Sequence, residues 1–334
     1  MPSMRATLLI ASLPFAASAL GFACGPASDP NDVGGPEYLV SENDPTTRPA
    51  ESAAARETHQ IKTAFVILLE NQNWHEVKGS TSAPYINKVL LPASASAENY
   101  RNPAFLHPSE PNYIWMEAGS NLGILNNHEP DENHRTTKKH LTRLLQDANV
   151  PWKSYQQGIS GTRCPLTAEA DYEPKHNAMI FFTDMTDDNN IASKNCVDHV
   201  RPESELDVDL ANDKVSGYVF ITPDRCHNMH DGCVSGDAIK NGDDFLAAEI
   251  PRIQASNAYK NGGAIFITWD ESEDGEYPIG MLVLSPLGRP GYRTATPFTH
   301  SSFLRTMQEI FAVGPFIRDA KNATPLAELF TAYP

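Results

Sequence analysis

Four stretches of this chain are apolar without alternation: residues 63–69 (TAFVILL), 215–222 (VSGYVFIT), 263–269 (GAIFITW) and 279–285 (IGMLVLS). A strand with one face in water alternates polar and apolar positions, so unbroken runs of this length predict strands buried on both faces. Helical periodicity predicts helices over residues 136–148, 243–254 and 300–311. Strands separated by helices imply an α/β fold, a three-layer α/β/α sandwich around a mainly parallel sheet. Residues 183–212, acidic and rich in Asn, read as an inserted loop region. The sequence contains no internal repeat.

Ahead of the first strand the pattern changes twice. Residues 1–23 carry one cation, Arg5, and an apolar run that includes Pro14, ends in small residues and has no charged stop after it. That is a signal peptide rather than a spanning helix. Cleavage before Cys24 would fit a bacterial lipoprotein, with Cys24 lipidated, although Leu20 stands four residues before the cysteine instead of three; plain secretion is the alternative. Residues 24–60, rich in Pro, Ser, Ala and acids, read as a flexible tether, which leaves 61–334 as one domain. The expected location is the cell envelope or the medium.

Charge narrows the partners. With 26 Lys and Arg against 42 Asp and Glu, the net charge is −16. Such a surface repels nucleic-acid backbones and anionic lipid, so a nucleic-acid partner is not expected and membrane contact is expected only through a lipid anchor. The oligomeric state is not encoded in any pattern here. Five cysteines are present. With Cys24 set aside, Cys164, Cys196, Cys226 and Cys233 remain, and pairing the near neighbours is the simplest of three connectivities in an exported protein. The segment CHNMHDGC, with two thiols and two imidazoles, leaves a zinc site as the competing reading.

Ligands of open α/β sheets bind beyond the carboxyl ends of the strands. There the first run delivers Glu70-Asn71 and the third Asp270-Glu271. Three carboxylates at one edge raise one another's pKa unless a cation neutralises them, and oxygen donors suit Mg, Ca or Mn, with Zn also accepted. Solvated loop carboxylates are the plainer alternative. A second candidate is Ser109 in HPSEPNY (residues 107–113), where Pro111 suits a first helical turn. A hydroxyl at a helix N-terminus sits among free N–H groups that favour an alkoxide and a phosphate, though a simple cap would look the same. The segment HEPDENH is not a metalloprotease helix, because Pro130 interrupts it.

Taken in order, VILLENQNW, HPSEPNYIWMEAGSNLGI, KHN, ITPDRCHNMHDG, FITWDE and THSSFLRTMQEIF resemble the motifs of the phosphoesterase family of bacterial and fungal acid phosphatases and phospholipases C, within the alkaline phosphatase superfamily. The resemblance implies an alkaline-phosphatase-like fold and a divalent metal ion held by Glu70, Asn71, Ser109, Asp270 and Glu271. It makes Ser109 the nucleophile and Asn112 a donor to a phosphoryl oxygen. His230 would contact phosphate or protonate the leaving alkoxide, with Asp231 placed to orient its ring. His176 and His300 become substrate-binding candidates, whereas His107 and His227 read as structural. Two departures stand out: Gln72-Asn73-Trp74-His75 follows the Glu-Asn pair where relatives commonly have a Ser-Phe-Asp type sequence, and Glu271 stands where Asp is also common. The implied activity is an exported, metal-dependent hydrolase of small phosphate monoesters acting through a phosphoserine. A phosphodiesterase or phospholipase C, and a non-catalytic phosphate- or metal-binding lipoprotein, are the alternatives.

Overall fold

The structure, a computed structural model, describes residues 53–334; the signal segment, Cys24 and most of the tether lie outside the described residues. Ten strands follow in chain order: β1 (Thr63–Leu69), β2 (Ala95–Ala97), β3 (Tyr100–Arg101), β4 (Trp152–Gln156), β5 (Val200–Pro202), β6 (Tyr218–Thr222), β7 (Gly263–Trp269), β8 (Met281–Leu284), β9 (Arg293–Thr294) and β10 (Phe298–Thr299). Eight of them form one sheet in the order β5-β4-β6-β1-β7-β8-β2-β9, and β3 pairs with β10 separately. At the centre, β1 runs parallel to both β6 and β7. Every residue of β1, β6, β7 and β8 is buried, which requires cover on both faces and gives the three-layer α/β/α sandwich. The five large side chains of β1, Phe65 to Leu69, are fully buried and contribute roughly 10 kcal/mol of apolar transfer before chain entropy is set against it.

The apolar run at 279–285 is a strand, but β8 is antiparallel to both β7 and β2. A continuous buried run reports burial on two faces and carries no sign of direction. The helix expected over 136–148 is confined to Leu141–Asp147, because Arg135 bridges to Phe182 and its N–H is taken by the Phe181 carbonyl at 2.7 Å. The helix expected from 243 starts earlier, at Ala238, behind an Asp237 cap whose carboxylate accepts from Lys240 N. The His300–Ile310 helix begins behind a Thr299/Ser302 capping box.

Two expectations are corrected. Residues 183–212 are no loop: they hold the helices Thr183–Thr186, Lys194–His199 and Ser204–Ala211 and the edge strand β5. Only Leu206, Asp209 and Leu210 of the last helix are buried, too few for a visible apolar stripe. The tether does not extend to residue 60 either. Residues Ala53–Arg56 are helical, Arg56 Nη2 donates to the Ala148 carbonyl at 3.0 Å, and His59 is buried with Nδ1 at 2.8 Å from the Ile310 carbonyl. A short polar segment packs here through hydrogen bonds, which hydropathy does not register.

Candidate active site

The register of the central strands builds the site. Leu69 of β1 lies opposite Trp269 of β7, and Asp270 N donates to the Leu69 carbonyl at 3.0 Å. Each strand therefore ends at the same level, and the next residues, Glu70-Asn71 and Asp270-Glu271, leave the sheet side by side. The loop after β6 closes the third side. Its Asn228 carbonyl accepts from Glu70 N at 2.7 Å, and its Met229 carbonyl accepts from Gln72 Nε2 at 3.0 Å. Met229 Sδ receives the Trp269 indole N–H at 3.2 Å. The loop is closed by a disulfide between Cys226 and Cys233; a second joins Cys164 to Cys196. The near-neighbour pairing holds, and the thiols that a zinc site in CHNMHDGC would need are consumed.

Ser109 opens the Ser109–Ala118 helix behind Pro108. The helix stops at Gly119, whose φ of 67° and close approach to the Ile317 carbonyl leave no room for a side chain. Ser109 Oγ is buried and donates to Glu70 Oε2 at 2.9 Å, with Asn71 Oδ1 at 3.4 Å and Glu271 Oε1 at 3.5 Å. Asn112, one turn on, donates from Nδ2 to the Leu106 carbonyl at 2.9 Å and to Glu271 Oε2 at 3.2 Å. Asn71 Nδ2 also reaches Glu271 Oε1, at 3.1 Å. Four of the five expected donors, Glu70, Asn71, Ser109 and Glu271, are thus linked by close contacts, and Asp270 is fully buried next to Glu271.

Their electrostatics are unequal. Burial opposes ionisation of Glu70, but the adjacent His176 outweighs it and holds the carboxyl at about 2. Asp270 is driven well above the usual carboxylate range by burial, then by the charges of Glu70 and Glu271. Glu271 is raised to about 7 by burial, against the opposing pull of His107, with Glu70 adding to the rise. Both carboxyl oxygens of Asp270 and Oε1 of Glu70 are buried without a hydrogen-bond partner. Among the described residues no three His, Cys, Asp or Glu side chains converge on one point at ligand spacing; the close contacts in this cluster involve Ser109, Asn71 and Asn112 as well.

The histidines divide differently from their sequence reading. His176 Nε2 lies 3.2 Å from Glu70 Oε2, off the line of a hydrogen bond, and its ring stacks on Tyr113 of the Ser109 helix with centroids 5.3 Å apart. His300 is fully buried with both nitrogens engaged, Nδ1 with Tyr100 Oη at 3.0 Å and Nε2 with the Asp270 carbonyl at 2.6 Å. Burial lowers its pKa to about 4, and the ring is held against the Asp270 backbone. His230 is 47% exposed and pairs with Asp231 Oδ1 at 3.1 Å. His227 pairs with Asp224 at 2.7 Å. His107, read as structural, is the histidine brought into the cluster from the Ser109 side: Nδ1 is 2.5 Å from Glu271 Oε2, and the side chain is 40% exposed. Its place two residues before Ser109 was the available signal. The carbonyls of Asn228 and Met229 carried none, since a backbone acceptor has no sequence signature.

The phosphoesterase family profile matches residues 97–314, about two-thirds of the chain, opening after Glu70 and Asn71. A probable acid phosphatase of Kluyveromyces lactis is 27% identical over 250 residues, 72% of this chain and 54% of that one, so the chain spans about half the length of the yeast protein. A phosphatidylinositol-3-phosphatase of Mycobacterium tuberculosis is 24% identical over 283 residues, covering 84% of this chain and 87% of the relative. A solved structure of an alkaline phosphatase superfamily protein from Vibrio parahaemolyticus superposes with a TM-score of 0.53 at 11% identity, over 82% of this chain and 72% of that one; the likeness is one of fold.

Proposed function

The chain belongs to the phosphoesterase family, and on that premise we propose that it is an exported, metal-dependent phosphatase that hydrolyses phosphate monoesters through a phosphoserine on Ser109. The observation that carries the reading is Ser109 Oγ, buried at a helix N-terminus and hydrogen-bonded at 2.9 Å to a carboxylate that stays ionised. The relatives named as an acid phosphatase and a phosphatidylinositol-3-phosphatase favour monoesters over diesters. Two disulfides favour an oxidising compartment.

Members of the superfamily are typically metal-dependent, and the residues fit a hard divalent cation: two buried carboxyls with unpartnered oxygens, Glu70 and Asp270, stand with Glu271 beside the Asn71 and Ser109 oxygens. Glu70, Asn71, Ser109, Asp270 and Glu271 would hold it, and it would supply positive charge for the phosphoryl oxygens and for the serine alkoxide. Mg, Ca, Mn and Zn all accept such donors.

The chain's own groups account for the remaining steps. Glu70 orients the Ser109 hydroxyl through its ionised carboxylate, with His176 beside it to share the charge, and the hydroxyl proton leaves to solvent as the alkoxide forms. Ser109 Oγ attacks phosphorus in line; the serine O–P bond forms as the ester P–O bond breaks. Asn112, fully buried and donating towards Glu271, is the donor for a phosphoryl oxygen. The leaving alkoxide takes a proton from His107, which touches Glu271, whereas His230 touches Asp231. Water then adds to phosphorus as the serine O–P bond breaks; its proton returns to His107, a solvent proton restores Ser109, and phosphate is released. Hydrolysis of p-nitrophenyl phosphate by the wild type and Ser109→Ala, each chelated and resupplied with Mg, Ca, Mn or Zn, tests this. We expect a loss of at least a thousandfold for the variant; equal rates would sink the nucleophile. Faster cleavage of bis-p-nitrophenyl phosphate would replace the monoester reading with the diester one.

A further inference from the structure

Phe105 is 84% exposed and holds a left-handed backbone with φ of 58°. Both are costly for a large apolar residue, which has no side-chain reason to adopt that conformation. A single glutamate accounts for the backbone. Glu276 Oε2 accepts from Phe105 N at 3.1 Å, and its Oε1 lies 3.2 Å from His107 Nε2. His107 in turn touches Glu271 at 2.5 Å. The Glu276 carbonyl is held by Arg101 Nη1 at 2.5 Å. The next residue, Tyr277, is 47% exposed, meets His75 edge-on with centroids 5.0 Å apart, and covers Gly275, where a side chain would lie 2.9 Å from the tyrosine ring. The carboxylate that fixes the Phe105 backbone thus also grips a histidine of the catalytic cluster, and the residue that carries it is followed directly by the second exposed ring, Tyr277.

We propose that Phe105 and Tyr277 form the wall that receives the leaving group, so that the enzyme selects phosphate monoesters whose alcohol carries an apolar or aromatic body. This deepens the phosphomonoesterase reading and rests on it. Glu276 is a positioning residue: it sets Phe105 and His107 in one geometry, so that the group bound by the first is the group beside the second. A small polar alcohol gains nothing from two exposed rings, whereas an aryl or alkyl body removes their faces from water.

The test is the ratio of kcat/KM for 1-naphthyl phosphate to that for glycerol 2-phosphate. Phe105→Asn keeps a residue tolerant of the left-handed backbone and removes the ring; Phe105→Trp keeps a ring. The ratio is expected to fall about tenfold in Phe105→Asn and in Tyr277→Ala, mostly through KM for the naphthyl ester, and to stay at or above the wild-type value in Phe105→Trp, in line with the apolar area each ring offers. Glu276→Ala is expected to lower both the ratio and kcat, while Glu276→Gln, whose one carbonyl oxygen can still accept from Phe105 N but whose amide N–H2 would face His107 Nε2, is expected to keep most of the ratio and lose kcat. An unchanged ratio in Phe105→Asn and Tyr277→Ala overturns the proposal. So does an unchanged ratio accompanied by lost binding to phosphatidylcholine vesicles, which would make the rings a membrane contact. A wild type inert on both esters overturns the phosphomonoesterase reading itself, and this proposal with it.

Discussion

Removing the two disulfides separately is expected to divide stability from activity. Cys164 and Cys196 are 32 residues apart in sequence and Cys226 and Cys233 only 7. Loop-closure entropy then assigns about 3.7 kcal/mol to the long loop and about 2.4 kcal/mol to the short one. The variant Cys164→Ala/Cys196→Ala should be the less stable of the two. The short loop, however, is the one that presents the Asn228 carbonyl to Glu70 N at 2.7 Å and the Met229 carbonyl to Gln72 at 3.0 Å. Loosening it weakens at least one hydrogen bond that fixes Glu70, an effect of about 1 kcal/mol, which is roughly five- to tenfold in rate if it falls on the transition state. Urea unfolding gives the stability order; kcat/KM on p-nitrophenyl phosphate, measured where both variants are folded, gives the activity order. The reasoning fails if Cys226→Ser/Cys233→Ser is the more destabilised, or if it keeps full activity while the long-loop variant loses it.

Two further outcomes are open to direct measurement. His107→Gln should slow hydrolysis of alkyl phosphates, which need a protonated leaving group, more than that of p-nitrophenyl phosphate, and His230→Gln should show no such bias; the opposite pattern would return the acid role to His230. His140 is fully buried, and although burial opposes its charge, Asp184 at 3.0 Å and Glu117 at 3.3 Å raise its pKa above the ordinary value. A histidine whose folded pKa is raised stabilises the fold in full below about pH 6.5, and that contribution disappears as pH rises through the folded value. Urea midpoints of wild type and His140→Gln should therefore lie furthest apart near pH 5.5 and converge towards pH 9; a gap independent of pH would show that His140 acts by packing on Phe182 alone.

Much of this protein was written in its sequence because the signals are local. Unbroken apolar runs fixed β1, β6, β7 and β8 as doubly buried strands, and the polar pairs after two of them marked the edge where Ser109 would be met. The cysteine spacing favoured the pairing that formed. What hydropathy could not carry was direction and long-range register. The antiparallel course of β8 depends on its neighbours, and the helices at 183–211 bury too few side chains to leave a stripe.

The site divides along the same line. Residue types and their position after the strands determined Glu70, Asn71, Ser109, Asn112, Asp270 and Glu271 as candidates. Only the tertiary structure decided how the histidines serve them: His300 is turned under the Asp270 carbonyl, His107 is laid against Glu271, and His230 is left with Asp231 at the surface. The first two assignments depend on contacts between distant segments, the longer of them spanning the 164 residues from His107 to Glu271. The pairing of Leu69 with Trp269 sets Glu70-Asn71 beside Asp270-Glu271, a register that no single stretch of chain contains.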